Sequence, residues 1–111
     1  MAIMKIDKPD WQAYFDRMAK TLEGKSAEVD VEALEIGSLV EAQWVPLLGI
    51  SYDPYDDVLA VVVEGLDHMV RQPQSLFVDV ELGQMSSMEV VGGDGYRHIV
   101  KLRDPLRLPP H

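Results

Sequence analysis

Apolar residues recur in this chain first at a spacing of three to four and then, after Gly24, at a spacing of two. Trp11, Phe15, Met18 and Leu22 fall at i, i+4, i+7 and i+11, which is one face of an α-helix. Asp7 sits at an N-cap position and Pro9 in the first turn. Asp10 takes the capping-box position, where its charge meets the positive end of the helix dipole. Ile6 and Trp11 stand at hydrophobic-staple spacing across that cap. Gly24 closes the pattern at C′, with Lys20 and Lys25 near the negative end. The expected helix covers about 8–23, and its apolar stripe is expected to pack on a sheet.

Beyond Gly24, Ala27, Val29 and Val31 alternate with Glu28, Asp30 and Glu32, a half-buried strand with its acids toward water. Val40, Ala42 and Trp44 alternate with Glu41 and Gln43 in the same way. Pro46 cannot donate to a ladder, so the strand is expected to end, bulge or lie at an edge there. Gly49 allows a turn into Ile50-Ser51-Tyr52, and Asp53-Pro54-Tyr55-Asp56 has the residues of a β-turn. Val58 to Glu64 reads as a central strand. After Gly65, the segment Leu66 to Arg71 reads as one or two helical turns closed by Pro73. Leu76 to Val80 is a further strand. Ser86 to Val91 and Tyr96 to Arg103 flank Gly92-Gly93-Asp94-Gly95 as a hairpin.

These elements predict an α+β fold. An N-terminal helix packs on a curved antiparallel sheet of six or seven short strands, drawn from about 26–103, in a roll or partly open barrel. A short Pro-rich tail, 104–111, follows. The length of 111 residues suits a single domain. Sm-like RNA-binding folds share the plan of a helix before a bent sheet, but only as topology.

Charge narrows the partners. The chain carries 10 basic and 19 acidic residues, net −9. Ser26 to Val70 contains ten acids and no Lys or Arg, so it holds −10 and the rest of the chain +1. Nucleic acid and anionic membrane need a basic footprint, so neither is an expected partner. There is no cysteine, which removes disulfides, thiol catalysis and cysteine–zinc sites. The longest apolar run, Val58 to Val63, is far short of the roughly 20 residues that span a bilayer. The expected location is the cytoplasm.

Two constellations admit chemistry. Asp53, Asp56 and Asp57 place three carboxylates on one turn, a candidate site for a hard cation. Against it, the spacing is not that of an EF-hand, and DPxD is also ordinary turn chemistry. Glu64, Asp67 and His68 close a strand, a place for a general base and an orienting acid. Neighbours in sequence do not face each other, so that pair is not preformed. His98 shares a strand face with Tyr96, Val100 and Leu102, and can meet His68 only through tertiary folding. Ligand-binding candidates are therefore Asp67, His68, Glu64 and His98, and metal candidates are Asp53, Asp56 and Asp57. No P-loop, HExxH or GxSxG pattern occurs, and no cofactor is implied. Arg97, Lys101, Arg103 and Arg107 form a basic cluster that the acidic middle of another molecule could meet.

The run Glu41-Ala42-Gln43-Trp44-Val45-Pro46-Leu47-Leu48-Gly49-Ile50-Ser51-Tyr52-Asp53-Pro54, then Asp56-Asp57-Val58, Glu64-Gly65-Leu66-Asp67-His68 and Asp104-Pro105-Leu106-Arg107-Leu108-Pro109, resembles a family of small bacterial proteins of unknown function. The likeness runs from about Trp11 to Pro109 and implies no catalytic residue. With no catalytic motif, the leading reading is a non-enzymatic interaction module, self-associating or binding a protein partner with a basic surface. The alternative is a small-ligand or divalent-metal-binding protein, or an enzyme, with acids and histidine at one end of the sheet.

Overall fold

The computed structural model describes Ala2 to Pro105; residues 106–111 of the Pro-rich tail, Arg107 among them, lie outside the described residues. A 3-10 turn, Lys8–Asp10, leads into α1, Trp11–Leu22. Asp7 occupies the cap position but makes no side-chain capping bond; its carbonyl accepts from Asp10 N instead. The Trp11 indole Nε1 donates to the Ile6 carbonyl at 2.7 Å, which ties the helix start to the preceding chain. Trp11, Tyr14, Phe15 and Leu22 are buried, and Met18 packs against them.

Eight strands form the sheet, rather than six or seven: β1 Ala2–Lys5, β2 Ser26–Ala33, β3 Gly37–Asp53, β4 Val58–Val63, β5 Leu66–Arg71, β6 Ser75–Glu81, β7 Gln84–Val91 and β8 Arg97–Arg103. All pairings are antiparallel, in the order β1-β6-β7-β8-β2-β3-β4-β5. The sheet is open, with β1 and β5 as its two ends, so no barrel closes.

Two differences from the sequence reading have clear causes. Leu66 to Arg71 is a strand, not helical turns: Leu66, His68 and Val70 alternate with Asp67, Met69 and Arg71, and Gly65 (φ +87) makes the tight turn from β4. The two strands expected around Pro46 are one strand of 17 residues. Pro46 marks where β3 changes partner. Residues up to Pro46 pair with β2, and those from Leu47 onward pair with β4. A proline is tolerated there because the ladder switches sides. Register shifts against β2 and a positive φ at Trp44 bulge the strand just before the switch.

That change of partner lets the β4–β5 hairpin face the β8–β2 part of the same sheet. Leu59, Val61, Val63 and Val70 from one side, and Val29, Val90, Val100 and Leu102 from the other, join one core with the helix residues. α1 lies against β3 and β7. Trp11 meets Tyr52 of β3 edge-on at 5.1 Å between ring centroids.

Candidate functional site

β8 turns His98, Val100 and Leu102 inward and Arg97, Lys101 and Arg103 outward. His98 pairs in register with Val90 of β7 and Val31 of β2, and Val31 in turn with Leu39 of β3. Across the interior, His68 enters from β5, opposite Val61 of β4. The two imidazoles meet: His68 Nε2 and His98 Nδ1 are 2.9 Å apart, with one nitrogen donating and the other accepting. Their ring planes are tilted by 54°. Three strands separate β5 from β8 in the sheet, so only the change of partner along β3 brings these residues together.

Burial holds both histidines below the usual imidazole range. For His98 the neighbouring His68 lowers it further, while Asp94 and Glu41 oppose the shift; for His68 Glu41 alone opposes it. Beside the pair lies a cavity of about 280 Å³, bounded by Met69 to Gln72, Gly92 to Asp94 and His98. Its glycine wall is set by close approach. A Cβ on Gly92 would stand 2.9 Å from Asp94 Oδ1 and 3.3 Å from His98 Nε2. A Cβ on Gly93 would stand 2.8 Å from Gln72 Cβ.

Of the four ligand-binding candidates, the structure joins His68 and His98. It leaves the other two elsewhere. Asp67 is paired with Val62 on the opposite strand face and is exposed. Glu64 is exposed in the β4–β5 turn, its backbone N–H donating to the Pro46 carbonyl.

The three aspartates of the β3–β4 turn do separate jobs. Asp53 Oδ1 accepts from Tyr55 N at 2.9 Å and Asp56 N at 3.3 Å, an Asx turn. Asp57 accepts from the Tyr52 hydroxyl at 2.6 Å and pairs with Lys8 Nζ at 2.9 Å. The Tyr52 bond, then Lys8, holds the Asp57 carboxyl below the usual range. Burial first, then Asp57, pushes the Tyr52 phenol up to about 12. Asp56 stays exposed. Among the described residues no three His, Cys, Asp or Glu side chains are placed to hold a metal ion.

The basic cluster is largely consumed within the molecule. β8 lies beside β2, with Lys101 opposite Glu28 and Arg97 opposite Glu32. Lys101 Nζ is 3.3 Å from both Glu28 and Asp30, and Arg97 pairs with Glu89 and Glu32. Arg103 stacks over Trp44 at 3.8 Å. Glu28 and Asp30 were expected to face water; they are only 8% and 6% exposed, held under Lys101.

The tip of the β2–β3 hairpin is apolar and exposed. The β2–β3 hairpin turns at Leu34 to Ile36, and Leu34, Ile36, Leu39 and Val40 are all exposed there, Leu34 fully. β3 pairs only with β2 along this stretch, so its other edge has no strand partner among the described residues. The signal was present in the sequence: Leu34 and Ile36 fall where a polar turn belongs, and Leu39 and Val40 break the alternation.

The chain belongs to a family of proteins of unknown function whose model matches residues 2–111. It is 38% identical over 110 residues to an uncharacterized protein of Aquifex aeolicus, covering 98% of this chain and 99% of that one. No solved structure matches it.

Proposed function

We propose that this protein is a non-enzymatic interaction module that docks a protein partner through the tip of its β2–β3 hairpin. The observation that carries this is the clustering of Leu34, Ile36, Leu39 and Val40, all exposed, within seven residues of one turn. Fully burying side chains of this kind gains roughly 1.5–3 kcal/mol each, against an association cost of about 4–15 kcal/mol. A partner must therefore cover several of them together. The free edge of β3 offers backbone groups beside them, but the bulges near Trp44 restrict regular pairing to the end close to the turn.

Charge supplies the rest of the partner's description. Glu35 and Glu41 are exposed on the same hairpin, and the described basic residues of β8 are engaged in the molecule's own contacts. A surface that is apolar at its centre and basic at its rim complements this tip. A second copy sets acid against acid in a chain of net charge −9. The test compares capture from a bacterial lysate by the wild type and by a Leu34→Ser/Leu39→Ser variant, with light scattering after size exclusion to report self-association. A partner retained by the wild type and lost by the folded variant supports the reading. Identical capture by both overturns it.

A second reading rests on the cavity beside His98, whose wall carries Arg71, Gln72 and Asp94. It makes the protein a binder of a small polar ligand. A thermal-shift screen of divalent cations and small anions tests it, since a ligand that binds only the folded state raises the melting temperature.

A further inference from the structure

We propose that the His68–His98 pair is a proton-operated clasp that holds edge strand β5 against the inner face of β8 at neutral pH and releases it on acidification. β5 ends the sheet and has a ladder on one side only, to β4. Leu66, at its start, packs against the core. Val70 is buried in the core, and Gly93 N donates to the Arg71 carbonyl at 3.1 Å. The imidazole pair is the side-chain hydrogen bond that joins this edge to β8 among the described residues.

The chemistry of the pair makes it responsive to protons. When both rings are neutral, one N–H lies between the facing nitrogens and the bond is satisfied. A first added proton goes to an outward nitrogen of the donor ring and leaves that bond in place. A second puts an N–H on both facing nitrogens, donor against donor, on two cations whose ring centroids are 5.0 Å apart. The bond then cannot survive. The two sites titrate as a coupled pair.

The surroundings tune this. Glu41 from β3 favours protonation of both rings and Asp94 from the β7–β8 loop favours that of His98; Arg71 of β5 is the cation in the wall of the adjoining cavity. The strand neighbours, Val61 from β4, Val31 from β2 and Val90 from β7, carry no charge. Burial dominates, so the folded protein binds these protons less readily than the unfolded chain. The contribution of the pair is complete above the ordinary histidine value of 6.5 and is lost as pH falls through the lower folded-state values.

Hydrogen exchange on the full chain, expressed as protection factors so that intrinsic exchange rates cancel, tests the clasp. Between pH 7.5 and pH 5 the wild type is expected to lose at least tenfold protection at β5 amides while β7 amides keep theirs. A His68→Gln/His98→Gln variant, whose amides can bond but do not titrate, is expected to show no such β5-specific loss. Uniform behaviour of β5 and β7 in the wild type at every pH overturns the proposal, whether or not the variant folds. So does the same β5 loss in the variant.

Discussion

Replacing Gly93 by alanine tests whether the wall of the histidine cavity is fixed by close approach. The new Cβ would lie 2.8 Å from Gln72 Cβ, 3.0 Å from Gln72 Oε1 and 3.1 Å from the Gln72 carbonyl. Gln72 cannot step aside cheaply. Its own backbone has φ +50, its N–H donates to the Asp57 carbonyl at 2.9 Å, and its carbonyl accepts from Gln74 Nε2 at 2.8 Å. The methyl group must displace backbone and strain the Gly93 N to Arg71 O bond. Overpacking of this kind costs about 1–3 kcal/mol. For a domain of this size that is a fall in Tm of roughly 4–12 °C. Gly95 is the control: its φ is +85 and a Cβ there meets nothing within 4 Å, so alanine costs about 1–2 kcal/mol, from the left-handed backbone alone. Urea unfolding of the wild type and both variants decides the matter. Gly93→Ala within about 0.5 kcal/mol of the wild type, the range of ordinary surface changes, refutes the close-approach reading. In that case the cavity wall is soft and its shape is not built in.

Other expectations follow from the charged contacts. Lys101→Met leaves Glu28 and Asp30 buried without their cation, so the variant unfolds at lower urea; adding Glu28→Gln and Asp30→Asn restores part of the loss, and a double-mutant cycle with no coupling contradicts this. Asp30 first, then Glu28, raises the Lys101 pKa. The wild type therefore keeps this stabilisation at neutral pH and loses it only as alkaline pH climbs through that raised value. Tyr52→Phe removes the largest influence that depresses the Asp57 carboxyl; its titration, followed by carboxyl carbon NMR, moves upward, and an unchanged midpoint refutes the assignment.

The helix and most strands were legible because each buries one face, and a one-faced element writes its period into the sequence. Trp11, Phe15 and Leu22 gave away α1, and the inward set His98, Val100 and Leu102 gave away the orientation of β8. β5 is hard to read because Gly65 and Pro73 bracket a segment short enough for one or two helical turns, although Leu66, His68 and Val70 carry a period of two. β3 was split because a proline inside a strand normally ends it. Here the ladder changes sides at that residue. The histidine pair was legible only as two separate residues. Their meeting depends on the change of partner along β3, a long-range event that no local spacing encodes. The burial of Glu28 and Asp30 was hidden for the same reason: nothing near them in sequence announces Lys101.

The chain has no cysteine, so a single introduced thiol can carry a photo-crosslinker to a chosen point on the surface. The central claim is that the hairpin tip meets a protein partner. Leu34→Cys and, on the exposed face of α1, Lys20→Cys would each be labelled and illuminated in a bacterial lysate. The account predicts a discrete protein adduct from position 34 and none from position 20. No adduct from position 34, or equal adducts from both, contradicts it.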